Sequence, residues 1–146
     1  MADWREEKLT EELSRIGGFQ IDDLCRLDVY DTDISQKVLS ILLEWACYGQ
    51  NEAGIMLGRR KISEIPVEWL EWNLVRTVKK YFDYSDDWNY RRLLEVVVES
   101  VPKLKEEILL LNEDSNDQEI LEIRQQFKEG TIHELGCGDD KNKDQQ

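Results

Sequence analysis

The stretch from Ile34 to Phe127 consists of three consecutive helix-turn-helix units, and this pattern constrains the fold more than any other feature. Within each unit, apolar residues recur at spacings of three or four, the period of one helix face. The predicted pairs are Ile34–Cys47 with Asn51–Ile62, Pro66–Phe82 with Asp87–Ser100, and Pro102–Leu111 with Asn116–Lys128. Because one pair cannot bury its apolar face alone, the units are expected to stack into an all-α domain.

Turn residues repeat at similar offsets along this stretch. Ser85 and Ser115 lie 30 positions apart in acidic turns before a second helix, and Asn51 has the same place in the first unit. Pro66 and Pro102 lie 36 positions apart and each opens a first helix, where a proline costs least. The offsets indicate a period of roughly 30–36 residues, the range of helical-pair repeats. A non-repeating helical bundle with similar turn chemistry is the alternative.

The apolar patterns also rank the helices by burial. Ile34–Cys47 is apolar over most of its circumference and is predicted to be the central helix. In Pro66–Phe82 a stripe through Leu70 and Leu74 predicts a broad buried face. The valine run 96–98 has strand propensity, but the charged residues on either side of it favour a buried helix.

The ends of the chain are less regular. A helical stripe predicts an N-terminal helix in Asp3–Ile16, which Gly17 and Gly18 would end. The segment Phe19–Asp33 is compatible with a short helix, a packed loop or both. With 146 residues, one domain is expected, and we assign it to residues 1–128. Residues 129–146, rich in glycine and charge, are expected to form a flexible acidic tail.

The formal net charge of −13 is the sequence feature that bears most on the choice of partner. Nucleic-acid binding depends on Lys and Arg, so this charge disfavours nucleic acid as a partner, and it equally disfavours anionic membranes. A basic protein partner would instead be attracted and steered. The alternative is that the acidity serves only solubility.

Three cysteines, Cys25, Cys47 and Cys137, form no clustered motif. No secretory signal or membrane-spanning run is visible, so a reduced, cytoplasmic protein is expected. His133 is the only histidine, and with Cys137 it falls short of a zinc ligand set. We therefore predict no metal site.

Patterns for cofactor binding and catalysis are also missing. Gly17 and Gly18 lack the residues of a phosphate loop. Asp28, Asp31 and Asp33 begin like a calcium loop, but its glycine and its final glutamate are replaced by Asp33 and Leu39. We expect no cofactor, no catalytic residue and no enzyme activity.

Aromatic and acidic residues give the candidate binding site. Aromatic side chains are enriched at interface hot spots, although they also fill ordinary cores between helices. Trp69 and Trp72 share a side of one helix, and Trp88 lies near the next turn. The predicted partner-binding residues are Trp69, Trp72, Asp86, Asp87, Trp88, Glu113 and Asp114.

The run Trp88–Glu95 and the later run Asn116–Phe127 resemble HEAT-like α-helical repeats of small bacterial proteins. Asp117, Ile123 and Arg124 approximate the repeat's Asp-x-x-Ile-Arg pattern, with Ile120–Glu122 inserted before Ile123. The resemblance implies a right-handed stack of antiparallel helix pairs, an α-α superhelix of about 6–8 helices.

Some bacterial proteins of this size and acidity are immunity proteins, which neutralise a cognate toxin, and the chain is similar to them in these respects. The resemblance implies an acidic immunity-type inhibitor of a basic toxin domain. A general scaffold or adaptor and an enzyme with an unrecognised site are the two other hypotheses.

Overall fold

The computed structural model describes residues 3–130, and this part of the chain is helical, with no strand. Its α-helices are α1 (Trp4–Ser14), α2 (Thr32–Cys47), α3 (Glu52–Ile62), α4 (Val67–Tyr81), α5 (Asp87–Ser100), α6 (Lys105–Leu110) and α7 (Gln118–Glu129). Two 3-10 segments, Ile21–Val29 and Pro102–Leu104, precede α2 and α6. The predicted all-α class is confirmed over these residues.

Side-chain caps fix the starts of the second helices. The Asn51 side chain accepts a hydrogen bond from the Gly54 N–H (3.0 Å), and that of Asp86 accepts one from the Asn89 N–H (3.0 Å). Asp117 caps α7 in the same way. Such caps supply partners for N–H groups that a helix start leaves free. The three second helices therefore begin within two residues of their predicted starts.

Helix α2 is the centre of the molecule, as its apolar sequence predicts. It lies against α1, the first 3-10 segment, α3, α4 and α5. Val38, Leu39, Leu42 and Leu43 are completely buried along it. The most extensive contact between two helices is that of α2 with α3, whereas α4 packs far more on α2 than on α5. Helix α5 in turn packs on α6 and α7.

The structure corrects several boundaries. The strand alternative for residues 96–98 is wrong, because Val96 and Val97 lie buried within α5. The predicted helix Pro102–Leu111 is divided into a 3-10 turn and the short α6. In Phe19–Asp33 a nine-residue 3-10 segment forms, kinked at Arg26.

The C-terminal prediction is only partly covered by the structure. Helix α7 continues to Glu129, and Gly130 follows it with a φ of 71°, a left-handed conformation suited to glycine. The rest of the predicted tail, with His133 and Cys137, lies outside the described residues. Between residues 3 and 130, no helix is long and apolar enough to cross a membrane.

Candidate functional site

The turn after α2 and the turn after α4 lie side by side at one edge of the molecule. The Asp83 N–H donates to the Tyr48 hydroxyl at 2.8 Å. The Trp88 indole Nε1–H donates to the Gly49 carbonyl at 3.2 Å. Two hydrogen bonds therefore join the first and second helix-turn-helix units through their turns.

The turn after α6 continues this row. The Asn112 side-chain amide donates to the Tyr84 carbonyl at 2.8 Å, which joins the third turn to the second. A single edge of the molecule therefore carries the three turns in a row, at residues 48–51, 82–86 and 111–117. Hydrogen bonds between turns restrict their motion, so the groups they carry are held in fixed relative positions.

Exposed carboxylates concentrate on the second and third turns and on the helix starts that follow them. We name this surface the acidic turn edge and define it by Asp83, Asp86, Asp87, Glu113, Asp114 and Asp117. Asp83 accepts hydrogen bonds from Ser85, and Asp86 and Asp117 cap helices. None of the six carboxylates forms an ion pair with a residue of the described chain.

Aromatic side chains accompany the carboxylates. Trp88 is half-buried, and the Arg92 guanidinium lies 4.4 Å from the centre of its ring. The Tyr48 ring packs against Phe82, with 5.1 Å between ring centroids. Burial raises the pKa of Tyr48, and the Asp83 N–H that donates to its hydroxyl opposes part of this rise.

The structure brings five of the seven predicted site residues to this edge: Asp86, Asp87, Trp88, Glu113 and Asp114. Trp69 and Trp72 are elsewhere. They lie on the first two turns of α4, and Trp72 is about 13 Å from the end of that helix at 1.5 Å per residue. Trp69 is half-buried, while Trp72 is 72% exposed. The predicted single site therefore divides into two separate surfaces.

Sequence reasoning missed a cleft beside the first turn. It measures about 330 Å³ and is lined by Trp4, Arg5, Lys8, Glu12, Glu44, Trp45, Gly49, Asn51 and Gly54. The Trp45 indole donates to Glu12 across the cleft wall at 2.8 Å. Partial burial raises the pKa of Glu44, and the nearby Glu12 carboxylate raises it further. The cleft forms where α1 meets α2 and the start of α3, and no local pattern predicts that contact.

Among residues 3–130, no group of three or more His, Cys, Asp or Glu side chains is placed to hold a metal ion. The chain matches no protein-family model, no curated protein and no solved structure at a significant level. Its own geometry is therefore the basis for a functional proposal.

Proposed function

We propose that this chain is a non-enzymatic protein-binding module that holds a basic protein through the acidic turn edge. The observation that carries the proposal is the set of six carboxylates without an ion pair in the described chain, on turns that are hydrogen-bonded to one another. Trp88 and Tyr48 supply aromatic surface beside them. Aromatic groups are enriched at protein interfaces, and charged groups beside them steer a partner of opposite charge.

Three physical effects favour binding at this edge, and two of them favour a basic partner. Carboxylates that lack an ion pair repel one another, and cations from a partner would replace that repulsion with attraction. Because the turns are already fixed by hydrogen bonds, binding orders few groups and loses little entropy. A net charge of −13 would also steer a basic protein toward the molecule.

A finer proposal concerns architecture and role. The packing of α2 with α3 and the row of three turns support a HEAT-like right-handed superhelix of helix pairs. The second and third pairs depart from that pattern, because α4 packs mainly on α2 and α7 packs on α5. The resemblance to bacterial immunity proteins supports a toxin domain as the basic partner, with this protein as its inhibitor. A scaffold or adaptor role is the alternative, and the identity of the captured partner separates the two.

The test begins with affinity capture from the native cell, followed by kinetics with the purified partner. We expect a basic protein whose association slows as salt rises, because charges are screened over about 8–10 Å at physiological ionic strength. An inhibited toxin activity in the captured protein would favour the immunity role. Capture of an acidic protein, or association that ignores salt, would contradict the proposal.

Charge-neutralised variants locate the surface. The edge variant carries Asp86→Asn, Asp87→Asn, Glu113→Gln and Asp114→Asn, and asparagine at position 86 retains the helix cap. The control removes the same number of charges elsewhere, through Asp28→Asn, Glu68→Gln, Glu106→Gln and Glu107→Gln. We expect association at low salt to slow about tenfold more in the edge variant than in the control. Equal slowing would mean that only net charge matters.

A further inference from the structure

A second cleft lies on another part of the molecule, where α3, α4 and α5 meet. It measures about 510 Å³, within the range of small-molecule sites. Its lining residues are Met56, Arg59, Arg60, Ser63, Ile65, Val67, Leu70, Glu99 and Ser100. None of them belongs to the acidic turn edge.

Arg59 is the most unusual of these residues, because it is a charged side chain that is only 3% exposed. Its Nε donates to Glu99 at 3.0 Å, and its Nη1 donates to Glu95 at 3.2 Å. The Nη2 atom is buried and has no hydrogen-bond partner. A buried donor without a partner costs free energy, so an acceptor that displaced Glu99 and reached this nitrogen would remove that cost.

The two glutamates hold Arg59 unequally. Glu95 is 7% exposed and also accepts from Arg92 at 2.7 Å, so it is fixed between two guanidinium groups. Glu99 is 42% exposed and makes a single hydrogen bond to Arg59. The Nε and Nη2 atoms form one side of the guanidinium, which can receive both oxygens of a carboxylate at once. A ligand carboxylate could therefore displace Glu99 and gain one more hydrogen bond than Glu99 makes.

The surroundings of Arg59 favour an anion. Arg60 is exposed, and its side chain makes no ion pair or hydrogen bond within residues 3–130. The charged residues that line the cleft are two cations, Arg59 and Arg60, and one anion, Glu99, while the Glu95 carboxylate is paired with both Arg59 and Arg92. This corner is thus locally positive in a chain whose net charge is −13.

The remaining wall is apolar. Ile65 and Leu70 are buried, while Met56 and Val67 are each 46% exposed in the cleft lining. Exposed apolar side chains beside a cationic group match a ligand with a hydrocarbon body and one negative end. A single water molecule could satisfy Nη2, but it would leave these apolar side chains uncovered.

We propose that this cleft binds an organic carboxylate with a short branched hydrocarbon body. Its carboxylate accepts hydrogen bonds from the Nε and Nη2 atoms of Arg59 in place of Glu99, close to Arg60. Its hydrocarbon body packs against Met56 and Val67. A free small acid and the C-terminal residue of a peptide both have this chemistry.

The experiment uses three probes and NMR titration of the ¹⁵N-labelled full chain. N-acetyl-leucine models a peptide C-terminus, 4-methylpentanoate models a free acid, and N-acetyl-leucinamide is the neutral counterpart of the first. We expect both acids to shift the backbone amides of Arg60, Ser63 and Ser100, and the amide probe to bind at least about fivefold more weakly. A preference for N-acetyl-leucine over 4-methylpentanoate would identify a peptide as the source, and the reverse order a free acid.

Substitutions at two exposed residues are expected to change the affinity for the acids in opposite directions. Arg60→Gln removes a cation and should weaken binding of the acids about fivefold. Glu99→Gln weakens the competing acceptor and should tighten binding of the acids by a similar factor. Circular dichroism checks that both variants fold. Equal affinity for acid and amide, no tightening in Glu99→Gln, or no binding at all would overturn the proposal.

Discussion

At the scale of single residues, Tyr90 shows how a polar group is accommodated in the core. Its side chain is fully buried, and its hydroxyl donates to the carbonyls of Ile108 (3.0 Å) and Leu109 (3.3 Å). Arg124 Nε also donates to the Leu109 carbonyl, at 2.9 Å. These carbonyls lie at the end of the six-residue α6, where helix carbonyls lack intrahelical partners. Side chains of α5 and α7 thus complete a helix too short to be stable alone.

The Tyr90 hydroxyl leads to a prediction about alkaline pH. Burial raises the pKa of Tyr90 to about 12, above the ordinary value of about 10. The neutral form is therefore favoured by folding, and its stabilisation is complete below pH 10 and is lost as the pH rises toward 12. Tyr90→Phe should lower the free energy of unfolding by about 1 kcal/mol at pH 8, and this difference should shrink between pH 10 and 12.

Urea unfolding of both proteins across this pH range measures the difference. Tyr81→Phe is the control, because the Tyr81 hydroxyl makes no hydrogen bond within the described chain. A difference between wild type and Tyr90→Phe that stays constant from pH 8 to 12 would show that the hydroxyl does not titrate with folding.

At the scale of elements, the contact of α2 with α3 depends on a glycine. A Cβ atom at Gly58 would lie 2.7 Å from the Ala46 backbone nitrogen and 3.0 Å from its Cα. Backbone atoms of a central helix cannot move aside independently, so the contact requires the absence of a side chain. Gly54, one turn earlier on α3, would place a Cβ at an ordinary 3.6 Å from Trp45.

The two glycines therefore respond differently to the same substitution. Gly58→Ala should lower the free energy of unfolding by about 1–3 kcal/mol, because α3 must shift away from α2. Gly54→Ala should raise it by up to about 1 kcal/mol, since alanine is the better helix former. Chemical denaturation of both variants tests the pair. A stabilising Gly58→Ala would mean that the helices are farther apart than described.

The buried stripes of α4 and α5 support a second prediction at this scale. Leu74 and Leu94 are both completely buried. Leu74→Ala and Leu94→Ala should each lower the free energy of unfolding by about 2–5 kcal/mol, through lost burial and a residual cavity. Leu110 is 55% exposed, and Leu110→Ala should cost less than about 0.5 kcal/mol. A neutral effect of either core substitution would contradict the assigned inner faces.

Most elements could be predicted because their signals are local. The bounds of α5 are those predicted, since Asp86 caps its start and the apolar spacing continues to its end. The segment Phe19–Asp33 could not be assigned, because its five Asp residues and scattered apolar residues fit several local structures. Leu24 and Leu27 are buried in the core by residues that lie far from them in the sequence, so the local sequence does not predict their position.

At the scale of the whole molecule, the turn contacts were beyond prediction for the same reason. The acidic residues of the edge could be named from the sequence, but the bonds from Asn112 to Tyr84 and from Trp88 to Gly49 join distant segments. Trp69 and Trp72 were grouped with that edge because helix period gives the side of a helix and not its distance from another turn. The Arg59 cleft could not be found from the sequence, since residues of α3, α4 and α5 and of the turn after α3 form it together.

Cys47 provides a probe of unfolding for the whole molecule. It ends the central helix α2 and is completely buried, and burial raises the pKa of its thiol well above the ordinary value. Its alkylation in urea should therefore follow the same transition as the circular dichroism signal, because only global opening exposes it. Cys25 is exposed and should react without denaturant.

Pulsed labelling with iodoacetamide, followed by peptide mass spectrometry, distinguishes the two cysteines. Labelling of Cys47 at urea concentrations well below the circular dichroism midpoint would show that part of the fold opens independently of the rest.

The row of hydrogen-bonded turns has a geometric consequence for any partner. Packed helices lie about 8–10 Å apart, so successive turns repeat along the edge at about this distance. Two turns of an α-helix advance about 10.8 Å. A partner helix with two Lys or Arg residues seven positions apart would then meet the carboxylates of the second and third turns with one cation each. The distance between the turns would therefore select the spacing of charges in a partner as well as their sign.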